Sequence, residues 1–238
     1  MRIVLQKALA DAGVASRRAA EEMIMAGRVW VNGARVNKLG TRVNPATDKI
    51  TVDKKPISTK PELVYFLLNK PLGVVATVHD THNRPAAVEL IPTKARIVPV
   101  GRLDINTTGL LLLTNDGDLV YRLTHPKFEH PKEYEVLIQI PHTWEQDSLK
   151  RASKKLAHPM RLTDGVVSSP AEVKVLEQRS NDRYLISLTI HEGRKHQVRQ
   201  MINSIGASVV ELKRVRMGPI VLGNLAVGKY RSLTEEEI

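Results

Sequence analysis

The sequence predicts an α+β protein with much antiparallel sheet, in a small domain over residues 1–60 and a larger one over 61–238. Three observations carry this reading. Apolar residues alternate in several short runs, as strands require, and recur at three- and four-residue spacing in a few others, as helices require. The stretch "DKKPISTKPE", Asp53 to Glu62, is rich in Pro, Ser and Lys without an apolar period, and reads as a linker. The charge is uneven: residues 1–60 hold 12 Lys+Arg against 5 Asp+Glu, residues 61–238 hold 24 against 20.

In the first segment, Arg2 to Ala10 is a helix candidate closing at Gly13. Ser16 is suited to cap a second helix that ends at Gly27, with Ala19, Ala20, Met23, Ile24 and Ala26 as its buried stripe. Arg17 and Arg18 fall on its first turn, and Arg28 lies just past its end. "RVWVNGARV" offers a strand and an Asn32-Gly33 turn, a hairpin signal, and "KITVDKK" a further strand.

The second segment alternates strands with few helices. "ELVYFLLNKPLGVVAT" is a long apolar run broken by Pro71 and Gly73, and "GLLLLTNDG" a buried strand ending in a turn. "KEYEVLIQI" puts Tyr134, Val136, Ile138 and Ile140 on one face. "HTWEQDSLKRASKKL" reads as a helix, with Thr143 and Gln146 spaced as a capping box. "AEVKVLE" and "RYLISLTIHEG" are strands. "RKHQVRQMINSIG" is a helix with Val198, Met201, Ile202 and Ile205 inward and Arg194, Lys195, Gln197, Arg199 and Gln200 on its polar face. "VVELKRVRMG" is a last strand.

Composition excludes several functions. The chain has 238 residues, 36 Lys+Arg against 25 Asp+Glu, and a net charge of +11, a surplus that favours a polyanion, nucleic acid before membrane. Without cysteine there is no disulfide framework, thiol nucleophile or Cys-ligated metal site. No apolar run approaches the roughly 18 to 20 residues of a membrane span, and the N-terminus does not read as a signal peptide. A cytoplasmic protein is expected. No Walker-type loop, G-x-G-x-x-G fingerprint or serine nucleophile elbow is present, so kinases, ATPases, Rossmann dehydrogenases and α/β-hydrolases lack support. His79 and His82 form a loop pair without a third ligand, and His191 and His196 lack the spacing of a helical zinc pair, so no metal site is expected.

The segment richest in chemistry is "PVGRLDINTTGLLLLTNDG", Pro99 to Gly117. Asp104 follows Arg102 in a loop before a buried strand. A carboxylate at a strand mouth can act as nucleophile or base; equally, it can pair with an arginine or cap a turn. "HEGRKHQVRQM" gathers basic residues at a helix start, suited to phosphate or to solvent. Tyr134 is either a core tyrosine or a ring on which a nucleobase stacks.

Taken together, the segments resemble the ribosomal pseudouridine synthases of the RsuA/RluB branch, nearly end to end. "LQKALADAGVASRRAAEEMIMAGRVWVNG" with "LGTRV" is similar to the S4-type RNA-binding domain that opens these enzymes. "LLNKPLGVVAT", "VGRLDINTTGLLLLTNDG", "KEYEV", "EGRKHQVRQM", "VVELKRVRMGPIVLG" and "GKYRSLTEEE" resemble the catalytic-domain blocks in order. The resemblance implies a pseudouridine synthase domain with a mixed, mostly antiparallel sheet flanked by helices. It implies Asp104 as the essential carboxylate, Tyr134 as the ring stacking on the target uracil, and Arg194 as the basic partner of Asp104, with Lys195 close enough in sequence to compete. Arg17, Arg18, Arg28, Arg35 and Lys38 of the first domain, and Arg102, Lys195 and Arg199 of the second, are the expected RNA contacts.

The implied reaction isomerises a uridine of ribosomal RNA, 23S before 16S, and needs no cofactor. The partner is then ribosomal RNA or an assembly particle. A monomer is expected, since no heptad seam stands out. The competing reading is a non-catalytic S4-domain protein that aids ribosome assembly; an mRNA-binding regulator or an RNA-cleaving hydrolase has less to support it.

Overall fold

The computed structural model describes residues 1–58, 61–144 and 148–238, in two compact units. One unit is Met1–Val64 with Thr93–Arg96 and Asn115–Gly117, and the rest of the chain forms the other.

The first unit holds β1 (Ile3–Val4), α1 (Leu5–Asp11), α2 (Arg17–Met25), β2 (Val29–Val31), β3 (Ala34–Val36), β4 (Arg42–Val43), β5 (Ile50–Val52) and β6 (Lys55–Pro56). The helix expected from Arg2 is shorter, because Ile3 and Val4 pair with Val43 and Arg42 as a strand. The Ser16 hydroxyl accepts the amide of Ala19 and starts α2, as its sequence implies. Asn32 and Gly33 turn with φ of 52° and 82°, the left-handed pair of a tight hairpin. Leu5, Leu9, Ala20, Ile24, Val29, Val43 and Ile50 fill the core.

The linker reading needs correction. Asp53 and Lys54 turn with φ of 48° and 66°, Lys55 and Pro56 pair back onto β5, and the Ile57 amide donates to the Ile50 carbonyl. Four residues of the supposed linker are a β-hairpin turn and its edge strand. Proline fits there because an edge strand need not donate on its outer side.

The second unit contains β7 (Tyr65–Lys70), β8 (Val98–Pro99), β9 (Thr108–Thr114), all but the first residue of α3 (Gly117–Thr124), β10 (Lys132–Gln139), α4 (Ser148–Leu156), β11 (Glu172–Ser180), β12 (Arg183–Ile190), α5 (Gln197–Ser204), β13 (Ser208–Met217), β14 (Ile220–Val221) and β15 (Tyr230–Ser232). Among the described residues these strands form one sheet in the order β11-β12-β10-β13-β9-β7-β15, with β8 on β9 and β14 on β13. All its pairings are antiparallel except β9 with β13. The sheet is thus mixed and mostly antiparallel, as expected. Leu110 to Leu113 are at most 2% exposed, so β9 is covered on both faces. Tyr134, Val136 and Ile138 share the inward face of β10, as their alternation implies. The helix expected from His142 is described only from Ser148, and the Gln146 half of its proposed capping box lies outside the described residues.

The parallel junction depends on one glycine. Gly109 lies opposite Arg214 with φ of 100°. A Cβ there would land on the Arg214 carbonyl oxygen and 2.7 Å from its amide nitrogen, both backbone atoms that cannot step aside. Gly109→Ala is expected to cost several kcal/mol, through left-handed strain and a forced separation of β9 from β13. Urea unfolding checks this: a loss below about 1 kcal/mol would mean the junction yields without difficulty.

Candidate active site

Asp104 sits in the loop that leads into β9. Three hydrogen bonds pin the loop by its backbone carbonyls. The Asp104 carbonyl accepts the Thr107 amide at 3.0 Å, the Ile105 carbonyl accepts the Gly73 amide at 3.0 Å, and the Asn106 carbonyl accepts Arg199 Nη2 at 2.8 Å. The side chain of Asp104 is one-third exposed, so its carboxylate is held at the surface of a cavity.

That cavity has a volume of about 390 Å³ and takes in Asp104, Tyr134 and Arg214, with the segment His191–Val198, a loop and the start of α5, also lining it. Its size is within the range of small-molecule sites. Five cationic side chains and three acidic ones line it, a balance suited to a polyanion.

A bulge in β13 supplies the cavity with its buried cation. Tyr134 pairs with Arg214 and Glu133 with Arg216, leaving Val215 as an extra residue. In a regular strand, Arg214 and Arg216 would share a face. The bulge separates them. Arg216 turns outward and its Nε donates to Glu133 at 2.9 Å; hydrogen bonds from Ser187 and Arg216 hold that carboxyl below its usual range. Arg214 turns inward beside Tyr134 and is only 2% exposed. Its Nε donates to the Leu110 carbonyl at 2.8 Å, while its buried Nη2 has no hydrogen-bond partner among the described residues. A buried guanidinium that lines a cavity and keeps an unsatisfied donor is suited to an acceptor on a ligand.

A second buried cation lies at the end of β7. Lys70 is fully buried, and its Nζ donates to the carbonyls of Pro71 at 2.8 Å and Val74 at 2.9 Å. Burial pushes its pKa down to about 8, against the opposing pull of the Asp104 charge. Its folded value lies below its unfolded value, so the native state holds fewer protons than the unfolded chain between pH of about 8 and 10.5. Stability therefore rises with pH through that window. Relative to Lys70→Met, the wild type should gain up to about 3 kcal/mol between pH 7.5 and 10.5 in urea unfolding. Parallel stability curves for the two proteins would mean that Lys70 is not desolvated as described.

The sequence-derived candidates divide. Asp104 and Tyr134 share the cavity, and Tyr134 is 7% exposed. Arg194 lines the same cavity, but its ion pairs run to Glu192 at 3.4 Å and Asp164 at 3.6 Å rather than to Asp104. The side chain paired with Asp104 is His196, Nε2 to Oδ1 at 3.5 Å. The cause is a late helix start. His196 has φ of 54°, which interrupts the chain, so α5 begins at Gln197 and Arg194 and Lys195 belong to the preceding loop. Gln197, expected on the polar face, is buried, donating to Glu192 and accepting the Arg194 amide.

The expected RNA contacts divide in the same way. Arg17, Arg18, Lys38, Arg102 and Lys195 are exposed, the last two on the cavity rim. Arg28 makes a two-point pair with Asp53, and Arg35 donates to the Gly27 carbonyl behind α2. Arg199 ties α5 to the Asp104 loop and keeps a buried Nε without a partner among the described residues. Sequence reasoning missed Lys70, His196 and Arg214. For Lys70 a signal was available: a lysine inside the apolar run "LLNKPLG".

Asp104 and Tyr134 in a cavity lined by more basic than acidic side chains suit an enzyme acting on RNA. Comparison with known proteins gives the family. Residues 64–204 match the RNA pseudouridylate synthase family and residues 5–50 the S4 domain. Over nearly the whole of both proteins, the chain is 42% identical to the ribosomal large subunit pseudouridine synthase B of Bacillus subtilis (98% of this chain, 93% of that one). It is 40% identical to an uncharacterized RNA pseudouridine synthase of Aquifex aeolicus (100% and 93%). A crystal structure of a pseudouridylate synthase superposes with a TM-score of 0.69 at 32% identity, covering 99% of this chain and 97% of that one. The chain belongs to the RNA pseudouridylate synthase family and carries an S4 domain at its N-terminal end. It is an isomerase that acts on RNA.

Proposed function

We propose that this enzyme converts a uridine of large-subunit ribosomal RNA to pseudouridine, with Asp104 as its essential carboxylate. The observation that carries the reading is the meeting of Asp104, Tyr134 and the free donor of Arg214 in one cavity. The name of the Bacillus subtilis relative favours the large-subunit RNA. The non-catalytic assembly factor has no comparable support.

The reaction breaks the bond from C1′ to N1 of uridine, turns the base, and joins C1′ to C5. The C5 proton passes to solvent and N1 takes up a proton, so the step is redox-neutral. The target base must first leave its stack, at a cost of a few kcal/mol that is smallest in a loop or bulge. Tyr134, fixed on β10 between Leu188 and Arg214, recovers on the order of 1–3 kcal/mol by stacking on the extruded base. Asp104 in its ionised form attacks or deprotonates the nucleoside. Arg214 Nη2 meets a uracil or phosphate oxygen. Arg17, Arg18 and Lys38 of the S4 domain add phosphate contacts and affinity rather than chemistry.

Residues 1–60 act as the RNA-binding part and 61–238 as the catalytic part, in a monomer working in the cytoplasm. Among the described residues, no helix is long and apolar enough to cross a membrane. The test is tritium release from ribosomal RNA labelled at C5 of uridine. Release from 23S and not 16S RNA is expected. Release from 16S alone would move the substrate, and release from neither, as free RNA or as immature particles, would overturn the reading.

A further inference from the structure

Aromatic residues make up only 4% of the chain, yet two of them stand exposed side by side. Tyr121 is 47% exposed and Phe128 38%. Their rings meet edge to face at 5.8 Å. His125 packs on Tyr121 at 4.8 Å, and His130 lies nearly parallel to Phe128 at 6.1 Å. The ammonium of Lys127 sits over both rings, 5.1 Å from the centre of Tyr121 and 4.7 Å from that of Phe128. Core packing does not account for such a cluster, because folding gains little from rings left in water.

The segment presenting the rings is firmly held. Glu129 adopts a left-handed φ of 48°, its carbonyl contacts the His191 ring at 3.0 Å, and Lys132 Nζ donates to the His130 carbonyl at 3.0 Å. A fixed platform loses little entropy when it binds. It is also continuous with the active site, since His125, Pro126, Glu129 and His130 line the cavity of Asp104 and Tyr134.

We propose that Tyr121 and Phe128, with Lys127 above them, form a stacking subsite for an unpaired base of the substrate RNA next to the target uridine. The inference rests on the reading that this cavity receives that uridine. Extruding one base leaves its neighbour without a stacking partner, and an aromatic ledge beside the pocket replaces that partner. Lys127 now covers the ring faces. An arriving base displaces it, and the adjoining phosphate takes up the ammonium. The ledge thereby selects RNA whose target lies in a single-stranded segment.

The experiment uses the full-length protein and an in vitro transcript of large-subunit ribosomal RNA labelled at C5 of uridine. Phe128→Leu and Tyr121→Leu should each lower kcat/KM for tritium release about tenfold, mainly through KM, with melting temperatures near wild type. Lys127→Gln should flatten the salt dependence of binding, reducing the slope by about 0.7 to 0.9. Leucine variants within twofold of wild type, with an unchanged salt slope for Lys127→Gln, would overturn the proposal. So would a defect seen on ribosomal particles and not on naked RNA, which would make the ledge a protein-docking surface. A second arm keeps this inference separate from the catalytic reading. Ultraviolet crosslinking of the Asp104→Asn protein to the same RNA should give base adducts on Tyr121 or Phe128, even should the wild type release no tritium. Adducts confined to other residues would count against the ledge.

Discussion

Asp104→Asn is expected to end tritium release while leaving affinity for the RNA within about threefold of wild type. The amide matches the carboxylate in shape but can neither ionise nor act as base or nucleophile. Removing a group with that role lowers turnover by more than about 10⁴-fold in enzymes of covalent mechanism. Binding should survive because the loop is held by its backbone: Thr107, Gly73 and Arg199 all donate to main-chain carbonyls that the substitution leaves in place. Folding should survive too. The side chain is partly exposed, and its contact with His196, at 3.5 Å, is long and solvent-screened, so a stability change beyond about 0.5 kcal/mol is not expected. Turnover above about a tenth of wild type would remove Asp104 from the centre of the reaction. Loss of binding together with turnover would assign it to positioning RNA instead.

The parts of this fold legible in the sequence are those whose cause is local. Ser16 caps α2 through its own hydroxyl, Asn32 and Gly33 turn a hairpin because both tolerate positive φ, and the leucines of β9 announce a strand covered on both faces. What stayed hidden has a cause elsewhere in the chain. Asp53 and Lys54 make the same kind of turn as Asn32 and Gly33 without the residues that advertise one, so a hairpin reads as a linker. Arg194 and His196 are two residues apart, too close for sequence to say which one faces Asp104. The left-handed backbone at His196 decides it, by delaying the start of α5. The bulge at Val215 is the clearest case. It arises from pairing with β10, and nothing in "ELKRVRM" marks it.

Arg214→Lys should therefore have an effect out of proportion to its chemistry. The guanidinium is buried and lines the cavity: Nε holds the Leu110 carbonyl of β9, and Nη2 is a donor without a partner among the described residues. An ammonium is a single point and cannot reach both. Lysine is expected to keep the bond to Leu110 and abandon the cavity, lowering kcat by about 10²-fold or more, the usual cost of losing one preorganised donor in a catalytic site. Stability should move less than activity. Arg214→Met leaves the Leu110 carbonyl unpaired, at about 1–3 kcal/mol, but also removes a buried cation with an unsatisfied group, which offsets part of that loss. Inactive protein with a melting temperature within a few degrees of wild type is the expected signature. A purely structural arginine would give the reverse: a lower melting temperature, and unchanged turnover in the molecules that remain folded. Measuring kcat and thermal unfolding on the same preparations of both variants separates the two roles. The same pair of measurements tests the bulge, since only a strand that splits Arg214 from Arg216 can place a guanidinium beside Tyr134 while its neighbour binds Glu133 on the opposite face.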